Sequence, residues 1–456
     1  MVIWRKYQKI HMVGIGGSGM SGIAEVLHNL GFMVTGSDIQ RKDITERLEK
    51  LGIKIFYGHA PENVEGAEVV VVSTAIPPDN PEVLYAHEKK IPVIPRAEML
   101  AELMRMKYSI AVSGAHGKTT TTSMIASILE KAGYDPTVVV GGRIRGMGTG
   151  GKLGQSEYLV AEADESDGSF LKLFPTISVI TNIDEEHIDT YGDMENLKNA
   201  FIEFANKVPF YGCTVISIDD PGARELLPRI KRRVLTFGLS RQADFEAREL
   251  ELKGLGSSYS LYVRGEPMGK VRLGVPGIFN VRNSLAAFAT AFELDISPGV
   301  AIEALESFKG VMRRFEIKGE KKGIMVVDDY AHHPVEIEAV LKAARRFWEG
   351  RIIVLFQPHR YSRTRRLYRR FGSAFHLADI LIVTSIYPAG EKPLPGVTSE
   401  LIYNAARDAG HREVYLIEDL DEARKFLLET LKEGDLFITM GAGNVWKTGE
   451  KLLEEL

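Results

Sequence analysis

The run Ser113-Gly-Ala-His-Gly-Lys-Thr-Thr-Thr-Thr122 joins a short apolar segment, Tyr108–Val112, to a segment with helical character, Ser123–Lys131. Strand, glycine loop, Lys-Thr and helix in that order suit phosphate chemistry. Gly114 and Gly117 let backbone N–H groups approach an anion without a Cβ in the way. Lys118 supplies a point charge for β- and γ-phosphates, and a following threonine hydroxyl suits Mg²⁺. The helix that opens there adds the positive end of its dipole. The usual pattern has a glycine five residues before Gly117, whereas this chain has Val112, so the loop is shorter than the common one. We read it as a nucleoside triphosphate loop rather than a turn that happens to contain lysine.

A second glycine loop lies near the N-terminus. Gly14-Ile-Gly-Gly-Ser-Gly19 follows the strand-like Ile10–Val13 and precedes a helix expected over Met20–Leu30, and Asp38 ends the next strand. That spacing matches a dinucleotide fingerprint with a ribose-binding acid. The physics is less specific, because such a loop holds a diphosphate and any diphosphate-linked nucleotide fits. An NAD-dependent oxidoreductase would explain this loop and leave the second one without a purpose. Two anion loops in succession suggest that two phosphorylated ligands are brought together.

Polar clusters follow other apolar segments. Glu162-Ala-Asp-Glu-Ser-Asp167 comes after Tyr158–Ala161, on the edge where α/β sheets bind ligands, and its carboxylates suit Mg²⁺. Thr181-Asn-Ile-Asp-Glu-Glu-His187 follows Ile177–Ile180; His187 reads equally as a second-metal ligand or a hydrogen-bonded loop histidine. Asp328-Asp-Tyr-Ala-His-His-Pro334 ends another strand, with Pro334 suited to a first helical turn. Its polar residues are candidates for touching substrate, or equally an N-cap and packed histidines. Gln357–Arg370 carries six arginines. Arg360 and Arg363, at the start of the presumed helix, suit a carboxylate or phosphate, and Arg366, Arg369 and Arg370 read as a solvated face.

The elements that must position these groups restart a β/α alternation three times, so the expected fold class is α/β in three domains. The expected boundaries are 1–106, a Rossmann-like domain; 107–310, a P-loop-type domain with an added β-rich part over Phe245–Leu273 and a helix over Val281–Leu294; and 311–456, a Rossmann-like α/β domain. Length supports about three domains. The 57 basic and 61 acidic residues leave a net charge of −4, which argues against a nucleic-acid-binding ATPase despite the arginines. The lone Cys213 excludes an intrachain disulfide and a thiolate cluster. Without a signal-peptide core or an apolar run long enough to span a bilayer, the expectation is a cytoplasmic protein with no membrane insertion. Nothing in the residues fixes an oligomeric state.

The motifs at 14–24, 114–120, 162–170, 181–191, 328–334 and 357–364, taken in order, closely resemble the Mur ligases, over nearly the whole chain. The resemblance implies ATP-dependent joining of L-alanine to the carboxylate of UDP-N-acetylmuramate through an acyl phosphate, with release of ADP and phosphate, in peptidoglycan precursor synthesis. It implies a UDP-sugar site with Gly16, Gly17, Ser18, Gly19, Asp38, His59 and Ser73. It implies an ATP site with Gly114, Ala115, His116, Gly117, Lys118, Thr119, Thr120, Asn280, Asn283, Arg314 and Asp329. Mg²⁺ would lie among Thr119, Thr120, Glu162 and His187. The catalytic set would be Lys118, Glu162, His187, His332, His333, Arg360 and Arg363, with His332 or His333 as a candidate general base. The amino acid would meet Asp329, His332, His333, Arg360 and Arg363. Phe279 and Ala115 depart from the family's frequent His and Thr. The nearest alternative is the related ligase that attaches a recycled murein peptide to the same sugar nucleotide; the Arg-Tyr-Ser-Arg pattern at 360–363 is more like the alanine branch. Shielding an acyl phosphate from water further suggests closure of the third domain over the second.

Overall fold

The computed structural model describes residues 7–73, 75–140, 151–184 and 188–456. It is a mixed α/β structure with three sheets. The first is parallel, in the order Lys54–Tyr57, Met33–Asp38, Lys9–Val13, Val69–Val72, Val93–Pro95. Its middle strand is apolar on both faces, as a strand covered by helices on both sides requires: Ile10, Met12 and Val13 are buried. The order reverses between Lys9–Val13 and Val69–Val72, and such a switch point opens a crevice at the carboxyl ends. The first glycine loop starts there, and Ser73 donates its N–H to the Val13 carbonyl at 3.3 Å.

The second sheet has ten strands. Tyr108–Ser113 lies between Tyr158–Glu162 and Ile177–Ile180, parallel to both. The phosphate loop, the acidic turn after Glu162 and the Thr181 turn therefore share one sheet edge. Beyond Cys213–Ser217 and Val234–Gly238 the sheet continues into Phe245–Lys253, Gly256–Val263 and Glu266–Leu273, the expected β-rich part. The third sheet runs Glu316–Lys321, Ile324–Asp329, Leu436–Met440, Ile352–Phe356, Ile380–Val383, Val414–Leu416. Only the first of these strands is antiparallel to its neighbour. The chain forms two compact units, Met1–Glu249 with Tyr259–Arg272 and Val281–Phe308, and Leu250–Ser258 with Leu273–Asn280 and Lys309–Leu456.

Two elements depart from the sequence reading. The helix after the phosphate loop is Lys118–Lys131, five residues earlier than expected, because Thr120, Thr121 and Thr122 are buried. Burial against the sheet overrides the weak helix propensity of four consecutive threonines. Glu316–Lys321 carries no apolar alternation and pairs along one side only, so it left no strand signature.

One buried carboxylate organises the carboxyl edge of the first sheet. Glu82 opens the helix Pro81–Glu88 behind the Asn80 cap and is fully buried. It accepts hydrogen bonds from Ser37 Oγ at 2.6 Å, Asn63 Nδ2 at 2.6 Å and His59 Nδ1 at 3.1 Å, with His11 Nε2 3.8 Å away. Burial raises its pKa, but the His11, Ser37 and Asn63 partners outweigh that and hold it at about 2. Since the unfolded carboxyl titrates near 4.5, the charged form stabilises the fold by roughly 3 kcal/mol above that pH, and the contribution disappears as the pH falls toward 2. Glu82→Gln is expected to lower the melting temperature at pH 7, with the gap to the wild type closing between about pH 4.5 and 2. A gap of constant size across a pH series of melting curves would show that Glu82 is not held ionised.

Candidate functional site

The first loop hangs from the neighbouring strand. Gly14 and Ile15 both donate to the Ser37 carbonyl, at 2.9 and 3.0 Å. Gly17, Ser18 and Gly19 form the N-terminus of the helix Ser18–Asn29. Asp38, expected as a ribose ligand, is buried and accepts from Gly16 N–H at 3.0 Å and Gln40 N–H at 3.1 Å, with Lys42 Nζ 3.5 Å away. It therefore shapes the loop and uses one of the N–H groups that an anion would otherwise take. His59 reaches this edge with Nδ1 committed to Glu82.

The second loop is built around Lys118. Its ammonium donates to the Gly114 carbonyl at 2.6 Å and to both Glu165 oxygens at 2.9 and 3.1 Å. Burial alone would depress this lysine; the charges of Glu165, Asp164 and Glu162 raise it instead, so it stays protonated. Burial pushes Glu165 upward against the opposing pull of Lys118. The loop is fastened from the next strand. Asn182 Oδ1 accepts from His116 N–H at 2.8 Å, Asn182 Nδ2 donates to the His116 carbonyl at 2.9 Å, and Thr181 Oγ1 donates to that carbonyl at 2.7 Å. Ala115 N–H donates to the Asn182 carbonyl at 3.2 Å. His116 Nε2 lies 3.4 Å from Asp184.

Gly117 caps the helix in a left-handed conformation, φ 84°, and a Cβ there would lie 2.5 Å from Asn283 Oδ1. The helix Ile278–Glu293 thus brings Asn283 against the loop, while Asn280, three residues earlier, donates from Nδ2 to the Pro276 carbonyl at 2.7 Å. Thr119 and Thr120 open the helix Lys118–Lys131. Glu162 pairs in register with Val112 and so stands level with the base of the loop. His187 lies outside the described residues.

In the second unit, Asp329 is buried and accepts from Phe315 N–H and Ala331 N–H, both at 2.7 Å. Burial raises its pKa to about 6 against the pull of Arg314 and these two bonds. Arg314 lies 3.5 Å from Glu336 and, with Arg313, over the Tyr330 ring. His333 caps the helix Pro334–Phe347, with Glu336 closing a capping box. His332 Nδ1 hydrogen-bonds the Tyr330 carbonyl at 3.0 Å, which assigns the proton to Nδ1 and leaves Nε2 as the basic nitrogen. Burial, with Arg363 and His359 nearby, pushes His332 down to about 3. Arg363 Nη1 lies 3.2 Å from His359 Nδ1, and His359 stacks on Tyr387 at 5.7 Å. Arg360 precedes the helix Tyr361–Ala374 at φ 72°, a strained value for a side-chain-bearing residue.

Several of these residues carried little sequence signal. Glu165 was read only as one of the carboxylates suited to Mg²⁺, and Thr181 and Asn182 sat inside a motif without a role; the fold shows all three holding Lys118 and its loop. Arg313 donates to Asp328 at 3.0 Å and to the Gly441 and Gly443 carbonyls at 2.6 and 3.1 Å, a junction spread over 130 residues. Those partners are too distant in sequence for spacing to reveal.

A parallel-sheet protein with a diphosphate loop and a Lys-bearing phosphate loop, followed by a third α/β sheet with arginines and histidines at its edge, defines a nucleotide-dependent enzyme of the ligase type. The chain belongs to the Mur ligase family: residues 9–108 match the Mur ligase catalytic domain, 112–291 the middle domain and 313–443 the domain described for glutamate ligases. It is 56% identical to the UDP-N-acetylmuramate–L-alanine ligase of Geobacter sp. strain M21, over 100% of this chain and 99% of that protein. The fold is similar to the crystal structure of the Thermotoga maritima UDP-N-acetylmuramate–alanine ligase, with a TM-score of 0.85 and 31% identity over 98% of both chains. A murein peptide ligase from Psychrobacter arcticus shares the fold at a TM-score of 0.74 and 23% identity, over 98% of both chains.

Two outcomes are expected. Gly117→Ala places a Cβ on Asn283 and removes left-handed freedom, so the KM for ATP should rise at least ~10-fold, the effect of a strain of roughly 1–3 kcal/mol. An unchanged KM in steady-state kinetics would remove Gly117 from the site. His332, in a chain with ¹³C-labelled histidine, should keep its ring resonance constant from pH 8 to pH 5, because a lowered pKa near 3 leaves it neutral there. A titration midpoint between 6 and 7 would contradict its burial.

Proposed function

We propose that the chain joins L-alanine to the carboxylate of UDP-N-acetylmuramate, converting ATP to ADP and phosphate. The full-length identity to the Geobacter ligase carries this reading, and the paired anion loops in the first unit supply its physical sense. A carboxylate does not condense with an amine at neutral pH, since oxide is a poor leaving group. Transfer of the γ-phosphoryl group to the carboxylate makes phosphate the leaving group. The amine of L-alanine then attacks the acyl phosphate, and a tetrahedral intermediate collapses to the amide. Bringing a carboxylate to a triphosphate opposes like charges, and Lys118, held protonated by the neighbouring carboxylates, is the cation that relieves this.

Lys118 must leave Glu165 to meet the phosphates, so ATP competes with a carboxylate already in place. The N–H groups at the start of the helix Lys118–Lys131 face the same anion. The donor set fits Mg²⁺: Glu162 and the hydroxyls of Thr119 and Thr120 are hard oxygens, and few protein ligands suffice when phosphates supply the rest. Bound there, Mg²⁺ would neutralise charge on the β- and γ-phosphates. Gly16 to Gly19, Asp38, His59 and Ser73 form the proposed edge for the sugar nucleotide.

In the second unit Asp329, Arg360 and Arg363 are assigned to the amino acid and the transferring phosphate, and His332 Nε2 to the ammonium proton. His333, already a helix cap, is assigned to positioning. We take the three working domains as 1–106, 107–310 and 311–456. Among the described residues no helix is long and apolar enough to cross a membrane, and we assign the enzyme to the cytoplasm, where its substrates are made.

Phosphate release with ATP, Mg²⁺ and UDP-N-acetylmuramate should be fastest with L-alanine, slower with glycine or L-serine, and absent with a tripeptide. Preference for the tripeptide would favour the peptide-recycling activity instead. Lys118→Ala should reduce ATP-dependent phosphate release by at least ~10³-fold, the scale for a transition-state charge contact. Retained turnover would sink the phosphate-loop assignment.

A further inference from the structure

The amino edge of the ten-stranded sheet lies opposite the phosphate loop and takes no part in the chemistry above. Its central strands are parallel, so the residues that precede each one line up in a row. Thr176 N–H donates to the Ser109 carbonyl at 2.8 Å, Cys213 N–H to the Thr176 carbonyl at 3.3 Å, and Thr214 N–H to the Arg233 carbonyl at 2.8 Å. Arg105, Phe174, the pair Phe210 and Tyr211, and Lys231 to Arg233 therefore precede four neighbouring strands: Tyr108–Ser113, Ile177–Ile180, Cys213–Ser217 and Val234–Gly238.

The aromatic residues of this row face outward. Phe174 is 51% exposed, Phe210 89% and Tyr211 58%. Phe210 and Tyr211 meet edge to face with centroids 5.2 Å apart. Single exposed apolar side chains are ordinary, but three on adjacent loops call for a partner. Basic side chains border them on both sides. Arg105 Cζ lies 5.7 Å and Lys207 Nζ 5.2 Å from the centre of the Phe174 ring. On the other side, Arg229-Ile-Lys-Arg-Arg233 carries four basic residues and no acid. Asn206, which ends the helix Met194–Asn206, seats that segment: its Oδ1 accepts from Lys231 N–H at 2.7 Å and its carbonyl from Arg232 Nε at 3.2 Å. The nearby acids Glu102, Glu195, Glu203 and Glu293 pair with Arg105, Arg229, Lys207 and Arg233. Lys231 and Arg232 stand exposed.

We propose that this edge docks the protein on an anionic lipid surface, with Phe210 and Tyr211 at headgroup level and Lys231 and Arg232 against the lipid phosphates. Amphipathic aromatics bordered by cations suit the boundary between headgroups and acyl chains. A second copy docked through the same edge would set cations against cations. Among the described residues no helix can cross a bilayer, so the contact is with the surface only. The phosphate loop, at the opposite edge of the same sheet, stays open to its substrates.

Co-sedimentation of the full chain with phosphatidylcholine vesicles, with and without about one-third phosphatidylglycerol, tests this at low and high salt. The wild type should bind the anionic vesicles at least ~10-fold more tightly than the neutral ones, and salt should release it. Lys231→Glu with Arg232→Glu should weaken that binding ~10–100-fold. Phe210→Ser with Tyr211→Ser should weaken it at least ~10-fold. Both double variants alter exposed side chains, so melting temperature and alanine-dependent phosphate release should match the wild type. No binding by the wild type, equal binding to both vesicles, or unchanged binding in either variant would overturn the proposal. A dimer in sedimentation velocity that Phe210→Ser with Tyr211→Ser splits would overturn it in favour of a second copy. Tighter binding of a single-stranded RNA oligomer than of the vesicles, lost in both variants, would overturn it in favour of nucleic acid.

Discussion

A half-buried ammonium has to be neutralised before a loop can close around it, and in this chain Glu165 does so for Lys118. Without a counter-charge, burial would drive the lysine toward its neutral form, which neither attracts a triphosphate nor stabilises transferred charge. With Glu165 at 2.9 Å and the Gly114 carbonyl at 2.6 Å, the charge is kept in place before any ligand arrives. The loop must then curl over this pair, and the hydrogen bonds from Thr181 and Asn182 hold it there. Glu165, Thr181 and Asn182 come from the two strand ends that flank Tyr108–Ser113, so the parallel sheet is what makes the pocket possible. The arrangement also sets a threshold, because an anion that displaces Glu165 must offer Lys118 a better partner.

The other two sheet edges repeat the principle with the charges reversed. Asp38 and Asp329 are buried carboxylates at strand ends, and each is satisfied by backbone N–H groups of the loop it serves. Each loop conformation is therefore fixed by an internal anion. The consequences differ. Beside Asp38 the compensating cation is Lys42, whose Nζ lies 3.5 Å from the carboxylate. In the second unit burial leaves Asp329 with a pKa of about 6 and His332 with one of about 3. His332 therefore stays neutral across the working range but is a weak base, and its basicity must be raised by a nearby anion before it can take a proton from an ammonium.

Much of the site was legible because phosphate chemistry constrains consecutive residues. Gly114, Gly117 and Lys118 must be neighbours, and so must Gly16 and Gly19, so spacing alone exposed both loops. The strands that carry them were legible for a related reason: strands covered on both faces read as unbroken apolar runs. What failed to show were partners recruited across the sheet. Glu82 lies 45 residues from Ser37, and Arg313 lies 128 from Gly441. The early start of the helix at Lys118 was hidden as well, since four threonines read as loop until burial is known.

The sequence by itself determined the chemistry available at each edge: two anion loops, carboxylates able to take a hard cation, and a histidine–arginine group after a later strand. These are local facts, set by side-chain type and by the few residues over which backbone geometry is fixed. Only the tertiary structure decided which of those groups are already engaged. Asp38 is given to its own loop, His333 to a helix cap and Lys118 to Glu165. The physical reason is that charge compensation acts through space. A carboxylate and an ammonium 3 Å apart neutralise each other whatever their separation in the chain, and the folding of strands into one sheet is what sets that distance.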